Sequence, residues 1–223
     1  MRADIAAALD QVTAWFGQHE LPVQRRELVD HAVVFADVAD ARRSLAAKLG
    51  GTPDQIPESF SGTVIERTLY VVAPAAYRAT YQQLYPDHAW RPQEYRALIV
   101  HEVAHRAHAL QATRLFGSEE GMGPGWFFEG LALVCAGQFD EPAPPLTRQE
   151  LHDLIARGIP DFPAPQARVI HQLHFELQLH TTASLQTGAE NAAIDMPPRP
   201  RVTPRLAWRA AVMTAQRRSI FSS

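Results

Sequence analysis

One long helical pattern constrains the fold of this chain more than any other feature. It begins near Pro92, continues through Leu98 and His101, and stops at Gly117. Proline is favoured at the first helical position because its missing N–H would have no partner there, and glycine is favoured just past the last position. We therefore predict the most regular helix of the chain between these residues, with a small sheet packed against it.

Residues 101–105 of this helix read His-Glu-Val-Ala-His. Four residues advance a helix by about 400°, so the imidazoles of His101 and His105 project from one face and can reach one metal ion. Glu102 lies about 100° round the helix, where its carboxylate can take a proton from a water that the metal activates. The motif predicts two zinc ligands and a general base. A pair of solvated or core histidines is the alternative.

A catalytic zinc site needs a third protein ligand. Downstream, residues 126–132 read Trp-Phe-Phe-Glu-Gly-Leu-Ala, which places Glu129 in an otherwise apolar helix predicted over 126–136. A lone carboxylate there is costly to bury unless it is paired or coordinates a metal. Glu129 is therefore the candidate third ligand, and an acid placed near the positive end of a helix dipole is the alternative.

These two motifs, HEVAH and WFFEGLA, with 23 residues between His105 and Glu129, resemble those of the gluzincin metallopeptidases. The similarity is greatest to the aminopeptidase N-like group and to the smaller peptidase-MA-like proteins, and it covers roughly residues 30–165. The resemblance implies an α+β, zincin-like fold with a small N-terminal sheet and helices, a zinc-binding helix and a helical C-terminal part.

The same resemblance implies functional roles. His101, His105 and Glu129 would hold Zn²⁺, and Glu102 would be the catalytic general base. The strand predicted over 63–72 would form the edge of the cleft and bind an extended peptide by backbone pairing.

The chain departs from the family pattern in two places. No G-x-M-E-N segment occurs between residues 60 and 100, so an aminopeptidase activity is not supported. All five tyrosines precede His101, whereas the relatives place a tyrosine after the second motif to donate to the oxyanion. The nearest substitute donors in the sequence are His171, His174 and Arg168, and loss of one such donor costs about 10²- to 10³-fold in rate.

The chain divides into three predicted parts. Residues 1–90 form the N-terminal α/β part of the catalytic domain, 91–168 the zinc-binding helical part, and 169–223 an atypical basic tail. The net charge of −3 is the sum of two unlike regions, because residues 196–223 hold six arginines and no acid and so offset the excess of acids in the rest of the chain. The tail is either a disordered basic extension or the product of a reading frame shifted near residue 169, and both explanations stay open.

The spacing of apolar residues predicts the elements of the N-terminal part. Helices are expected over 4–17, 38–49 and 75–84, strands over 31–36 and 63–72, and a loop over 52–62.

Composition excludes several other classes. No apolar run approaches the roughly 18 residues of a membrane span, and the N-terminus lacks the apolar stretch of a signal peptide, so we expect a cytoplasmic protein or a mature form. A single cysteine, Cys135, cannot form an internal disulfide or a thiolate zinc module and is predicted to be a core residue. The near balance of charge gives no reason to expect a nucleic-acid partner.

We therefore predict a zinc-dependent peptide hydrolase that acts on a peptide or protein substrate, with Glu102 as general base. The first alternative is a zinc-binding, metallopeptidase-like module without hydrolytic activity. The second is a helical adaptor in which the His-Glu-Val-Ala-His string is accidental. The sequence does not specify an oligomeric state.

Overall fold

The structure is a computed structural model that describes residues 1–123, 125–138, 147, 149, 150 and 153. Its elements combine helices with a small sheet, in agreement with the predicted α+β class. In chain order they are α1 (Arg2–Gln18), α2 (Arg25–Leu28), β1 (His31–Phe35), α3 (Val38–Leu49), β2 (Gly62–Ile65), β3 (Thr68–Val72), α4 (Pro74–Leu84), α5 (Glu94–Phe116) and α6 (Gly125–Ala136), with 3₁₀ turns at Pro53–Gln55 and Glu119–Met122.

The sheet has the strand order β1-β3-β2. β1 runs parallel to β3, and β2 runs antiparallel to β3 as the other arm of a hairpin. The prediction of one continuous strand over 63–72 is therefore wrong, because the chain reverses at Glu66, whose φ of 57° lies in the left-handed region. As a result β3 is the central strand, and β1 and β2 are the two edge strands of the sheet that the described residues form.

The hairpin turn is fixed by polar contacts that the apolar pattern does not reveal. Nε of Arg67 donates to Oδ2 of Asp30 at 2.9 Å, and the backbone N–H of Asp30 donates to the carbonyl of Arg67 at 2.9 Å. These contacts tie the turn to the residue just before β1. In the sequence, this reversal coincides with two consecutive charged residues, Glu66 and Arg67, that interrupt the apolar run of 63–72.

Helix α5 is the centre of the core. Its inward face consists of apolar residues that are at most 5% exposed: Tyr95, Leu98, Ile99, Val100, Val103, Ala104 and Ala107. α1 packs along α5 through Ala8, Leu9, Val12 and Phe16, and one continuous cluster extends from Ala8 to Ala136. Full burial of a side chain such as leucine or phenylalanine contributes about 1.5–3 kcal/mol, so this packing holds α5 firmly. The hydroxyl of Tyr95 also donates to the carbonyl of Val72 at 2.9 Å, which ties α5 to the sheet.

The predicted helices are confirmed to within two residues at each end. α5 begins at Glu94 rather than near Pro92, and it ends where Gly117 adopts a left-handed φ of 79°.

Cys135 is 2% exposed, which confirms it as a core residue, and burial raises the pKa of its thiol to about 12. Within the described part of the chain, no helix combines the length and apolarity needed to span a membrane.

Candidate metal centre

The first two side chains of the site come from one face of α5. The Nε2 atoms of His101 and His105 lie 3.0 Å apart, and their rings meet nearly at right angles. The spacing of four residues brings them together, as expected from the pitch of an α-helix. Because the surrounding turns of α5 are buried in the core, the two imidazoles are held in place by the fold as well as by their own helix.

Glu129 completes the group from the first turns of α6, which packs against α5. Its Oε2 lies 3.3 Å from Nε2 of His101 and 3.5 Å from Nε2 of His105. The ring of Phe128 contacts that of His105 with 5.5 Å between ring centroids, and it supports the imidazole beside the carboxylate. His101, His105 and Glu129 thus converge and can hold a metal ion.

The separations of these atoms test whether a metal fits. For tetrahedral zinc with metal–nitrogen bonds of about 2.0–2.1 Å, ligand atoms stand about 3.3 Å apart. The three observed edges of 3.0, 3.3 and 3.5 Å lie close to that value. Two imidazoles and one carboxylate leave a coordination position open, which is typical of catalytic rather than structural zinc sites. The donor set therefore fits a divalent metal.

Glu102 lies beside this group rather than in it. It lines a cavity of about 220 Å³ together with His101, Glu129, Ser59, Ser61 and Gly62, the last of which begins β2. The backbone of Gly62 passes so close that an added Cβ would lie 3.0 Å from Cγ of Glu102. A glycine at this position lets the edge strand approach the acid, which is a requirement that the sequence did not reveal.

The electrostatics of the site favour a cation. Burial on its own would raise the pKa of Glu129, but the charges and hydrogen bonds of His105 and His101 outweigh it and hold that pKa well below its usual range. Burial would lower the pKa of His101, but contacts with Glu129 and the charge of Glu102 reverse the effect and raise it. The negative field that retains a proton on His101 also attracts a divalent ion.

The carboxyl of Glu102 has a different environment. Burial raises its pKa, the nearby histidines oppose this rise, and the charge of Glu129 adds to it. A raised pKa makes the carboxylate a stronger proton acceptor. The pKa of Glu129 is thus lowered and that of Glu102 raised, as expected for a ligand and a base that share one site.

Gln138 is a site residue that sequence reasoning missed. It is 7% exposed and lies just past α6, where its Oε1 stands 3.0 Å from Nδ1 of His101. The available sequence cue was a polar residue directly after a glycine that ends an apolar helix. Such a cue marks the end of a helix but not the partner that the residue meets.

Sequence reasoning also missed three tyrosines that line the cavity. Tyr77, Tyr81 and Tyr85 occur every four residues along and just after α4, and all three line the cavity with Glu102 and Glu129. Their rings contact one another, with centroids 5.9 Å apart for the first pair and 5.2 Å for the second. All five tyrosines precede His101 in the sequence, and helix packing brings three of them to the site.

The remaining candidate residues are placed as follows. His108, a further histidine of α5, packs its ring on that of Phe127 with 5.7 Å between centroids. Burial, followed by the charge of His105, lowers the pKa of His108 to about 4, so it is neutral at neutral pH. The predicted oxyanion donors Arg168, His171 and His174 lie outside the described residues, as does the whole of the predicted basic tail, 169–223.

The site therefore defines a mixed helix-and-sheet protein with a candidate metal centre of two histidines and one glutamate. Comparison with protein families, with characterised proteins and with solved structures finds no match for the chain. The chemistry of the site is therefore the only guide to the function of the chain.

Proposed function

We propose that this protein is a zinc-dependent peptide hydrolase of the gluzincin type, with a zincin-like arrangement of its sheet and zinc-binding helix. One observation carries the proposal: the potential ligand atoms of His101, His105 and Glu129 converge beside the cavity that Glu102 lines. A site with only a structural role would have no need of a cavity or of an additional half-buried acid that lines it.

The proposed reaction divides its tasks among these residues. When bound, zinc polarises the carbonyl and lowers the pKa of water towards about 7. Glu102 accepts the proton of the attacking water as the new bond to the carbonyl carbon forms. It then returns that proton to the amine as the carbon–nitrogen bond breaks.

The cleft suggests how the substrate is oriented. Within the described residues, β2 pairs with β3 on one side only, and its first residue, Gly62, lies against Glu102. An extended peptide can add to the other edge of β2 through backbone hydrogen bonds, a recognised mode of peptide binding. This proposal transfers the pairing role predicted for 63–72 to Gly62–Ile65, because β3 is occupied on both sides.

The function is tested by metal analysis and peptide cleavage on the purified full chain. We expect zinc to co-purify, quenched-fluorescence peptide libraries to be cleaved, and cleavage to disappear on chelation and return when zinc is added. Zinc without turnover on any library would favour the non-hydrolytic alternative. Absence of zinc affinity would contradict both readings and favour a helical adaptor.

Within this reaction we assign to Tyr85 the role of hydrogen-bond donor to the oxyanion of the tetrahedral intermediate. Tyr77 and Tyr81 are only 6% and 5% exposed, whereas Tyr85 is half-buried at the cavity. Burial, followed by the charges of Tyr81 and Glu129, raises the pKa of Tyr85 to about 12. Its hydroxyl therefore stays protonated at neutral pH and can donate a hydrogen bond.

Tyr85→Phe removes this hydroxyl and keeps the ring that packs on Tyr81. We expect kcat to fall about 10²- to 10³-fold, as for loss of one oxyanion donor, with zinc content unchanged. Tyr70→Phe is the matched control, because Tyr70 lies on β3 and is not among the residues that line the cavity. Equal rates for Tyr85→Phe and the control would remove Tyr85 from the reaction.

A further inference from the structure

The turn at the end of helix α6 places Gln138 in contact with the metal centre. Gly137 adopts a left-handed φ of 62°, the N–H of Gln138 donates to the carbonyl of Leu133 at 2.9 Å, and the N–H of Gly137 donates to that of Val134 at 3.1 Å. This pair of bonds is a Schellman motif, which closes a helix and fixes the direction of the next residue. Helix α6 thus contributes Glu129 from its start and Gln138 from just beyond its end.

The contact that Gln138 makes has a defined polarity. Nε2 of His101 faces Nε2 of His105 and Oε2 of Glu129. This nitrogen needs its lone pair to bind a metal, so the ring proton must lie on Nδ1. Nδ1 therefore donates to Oε1 of Gln138 across 3.0 Å, and the amide oxygen, not the amide nitrogen, faces the ring.

The two histidines differ in their support. Nδ1 of His105 is buried and has no hydrogen-bond partner among the described residues, whereas Nδ1 of His101 has Gln138. Hydrogen bonds of this kind set the tautomer, orient the ring and increase the basicity of the ligating nitrogen. The hydrogen bond that Nδ1 of His101 donates to Gln138 therefore distinguishes one ligand from the other.

We infer that Gln138 is a positioning residue that holds His101 in the tautomer able to bind metal and thereby tightens metal binding. The inference rests on the metal centre of the proposed function but not on hydrolysis. It gives a role to a buried amide that neither motif contains. It also explains why the polar residue Gln138 follows the glycine that ends the apolar helix α6.

The test measures zinc affinity by chelator competition on the full chain. Gln138→Met keeps the length of the side chain and removes the strong acceptor, and we expect zinc to bind about 10- to 100-fold more weakly. Gln138→Glu keeps an acceptor at the same distance and should restore parental or tighter affinity. In the zinc-loaded protein, the ¹H shift of the Nδ1–H group of His101 should lie further downfield in the parent than in Gln138→Met, because only the parent offers that proton an acceptor.

Gln111→Met is the matched control. Gln111 is another buried glutamine, 6% exposed, and it donates to the backbone carbonyls of Leu21 and Pro22 rather than to a histidine. Its replacement should lower thermal stability and leave zinc affinity and the ¹H shift of the His101 Nδ1–H group unchanged.

Three results would overturn the inference. The first is parental zinc affinity in Gln138→Met. The second is equally weak binding in Gln138→Met and Gln138→Glu, which would indicate packing rather than hydrogen bonding. The third is a parent protein that binds no zinc, which would overturn the metal centre as well. A parent that binds zinc but cleaves no peptide would contradict the proposed hydrolysis alone, since the affinity series remains decisive.

Discussion

Glu102→Gln should abolish nearly all peptide cleavage while the protein keeps its zinc. General-base catalysis contributes about 10²- to 10⁴-fold, so we expect kcat to fall by that factor. Glutamine has the shape of glutamate, so the close contact with Gly62 is preserved and the ligands are not disturbed. The variant isolates the proton transfer from metal binding, and it is measured by initial rates on a cleaved peptide alongside metal analysis.

The stability of this variant gives a second readout. Because Glu102 is a carboxylate whose pKa is raised by burial, replacement with a neutral amide should leave thermal stability no lower than that of the parent. Glu66→Gln, at the exposed hairpin turn, is the control and should change neither rate nor zinc content. Unchanged cleavage in Glu102→Gln would rule out the proposed mechanism.

His105→Ala should remove most of the zinc affinity. This imidazole provides one of the three potential ligand atoms, and the remaining two protein ligands are too few for a stable site. We expect a loss well beyond the roughly 10- to 100-fold that follows removal of an outer hydrogen bond to a ligand. Chelator competition gives the affinity, and the effect of zinc on the melting temperature provides an independent measurement.

The thermal measurement has a calculable size. Zinc at about 100 times its dissociation constant stabilises the parent by roughly 2.7 kcal/mol, and this shift should vanish in His105→Ala. His108→Ala, one turn further along α5, is the control, because His108 packs on Phe127 and is not in the metal group. It should lower stability and keep the zinc-induced shift. Unaltered zinc content in His105→Ala would favour the adaptor reading, in which the motif is accidental.

The local elements of this protein could be predicted well because their patterns are local. The ends of α5 follow from a proline before its start and a glycine after its end, and α3 follows from Asp37, whose Oδ1 accepts from the N–H of Asp40 at 2.8 Å. The hairpin was missed because Val64, Ile65 and Leu69 form a run in which strand propensity is almost continuous. The reversal at Glu66 depends on tertiary contacts of Arg67 with Asp30, which no periodicity reports.

The convergence of His101, His105 and Glu129 was predicted, but for two different reasons. His101 and His105 follow from helix pitch alone. Glu129 was predicted from the cost of burying a lone acid and from a resemblance of motifs, and no spacing rule fixes where a residue 24 positions after His105 will lie. The packing of α6 on α5 brings its carboxylate to within 3.5 Å of both imidazoles.

The pair of histidines on one helix face, the acid beside them and the lack of the cysteines needed for a thiolate zinc module all follow from the residues alone, because helix pitch and residue chemistry are local properties. Which residues surround that pair depends on the tertiary fold. Gln138 reaches His101 because α6 ends where it does, the tyrosines of α4 line the cavity although they precede the motif, and Gly62 brings the sheet edge against Glu102. These placements depend on how apolar faces pack against one another, and packing joins residues far apart in the chain.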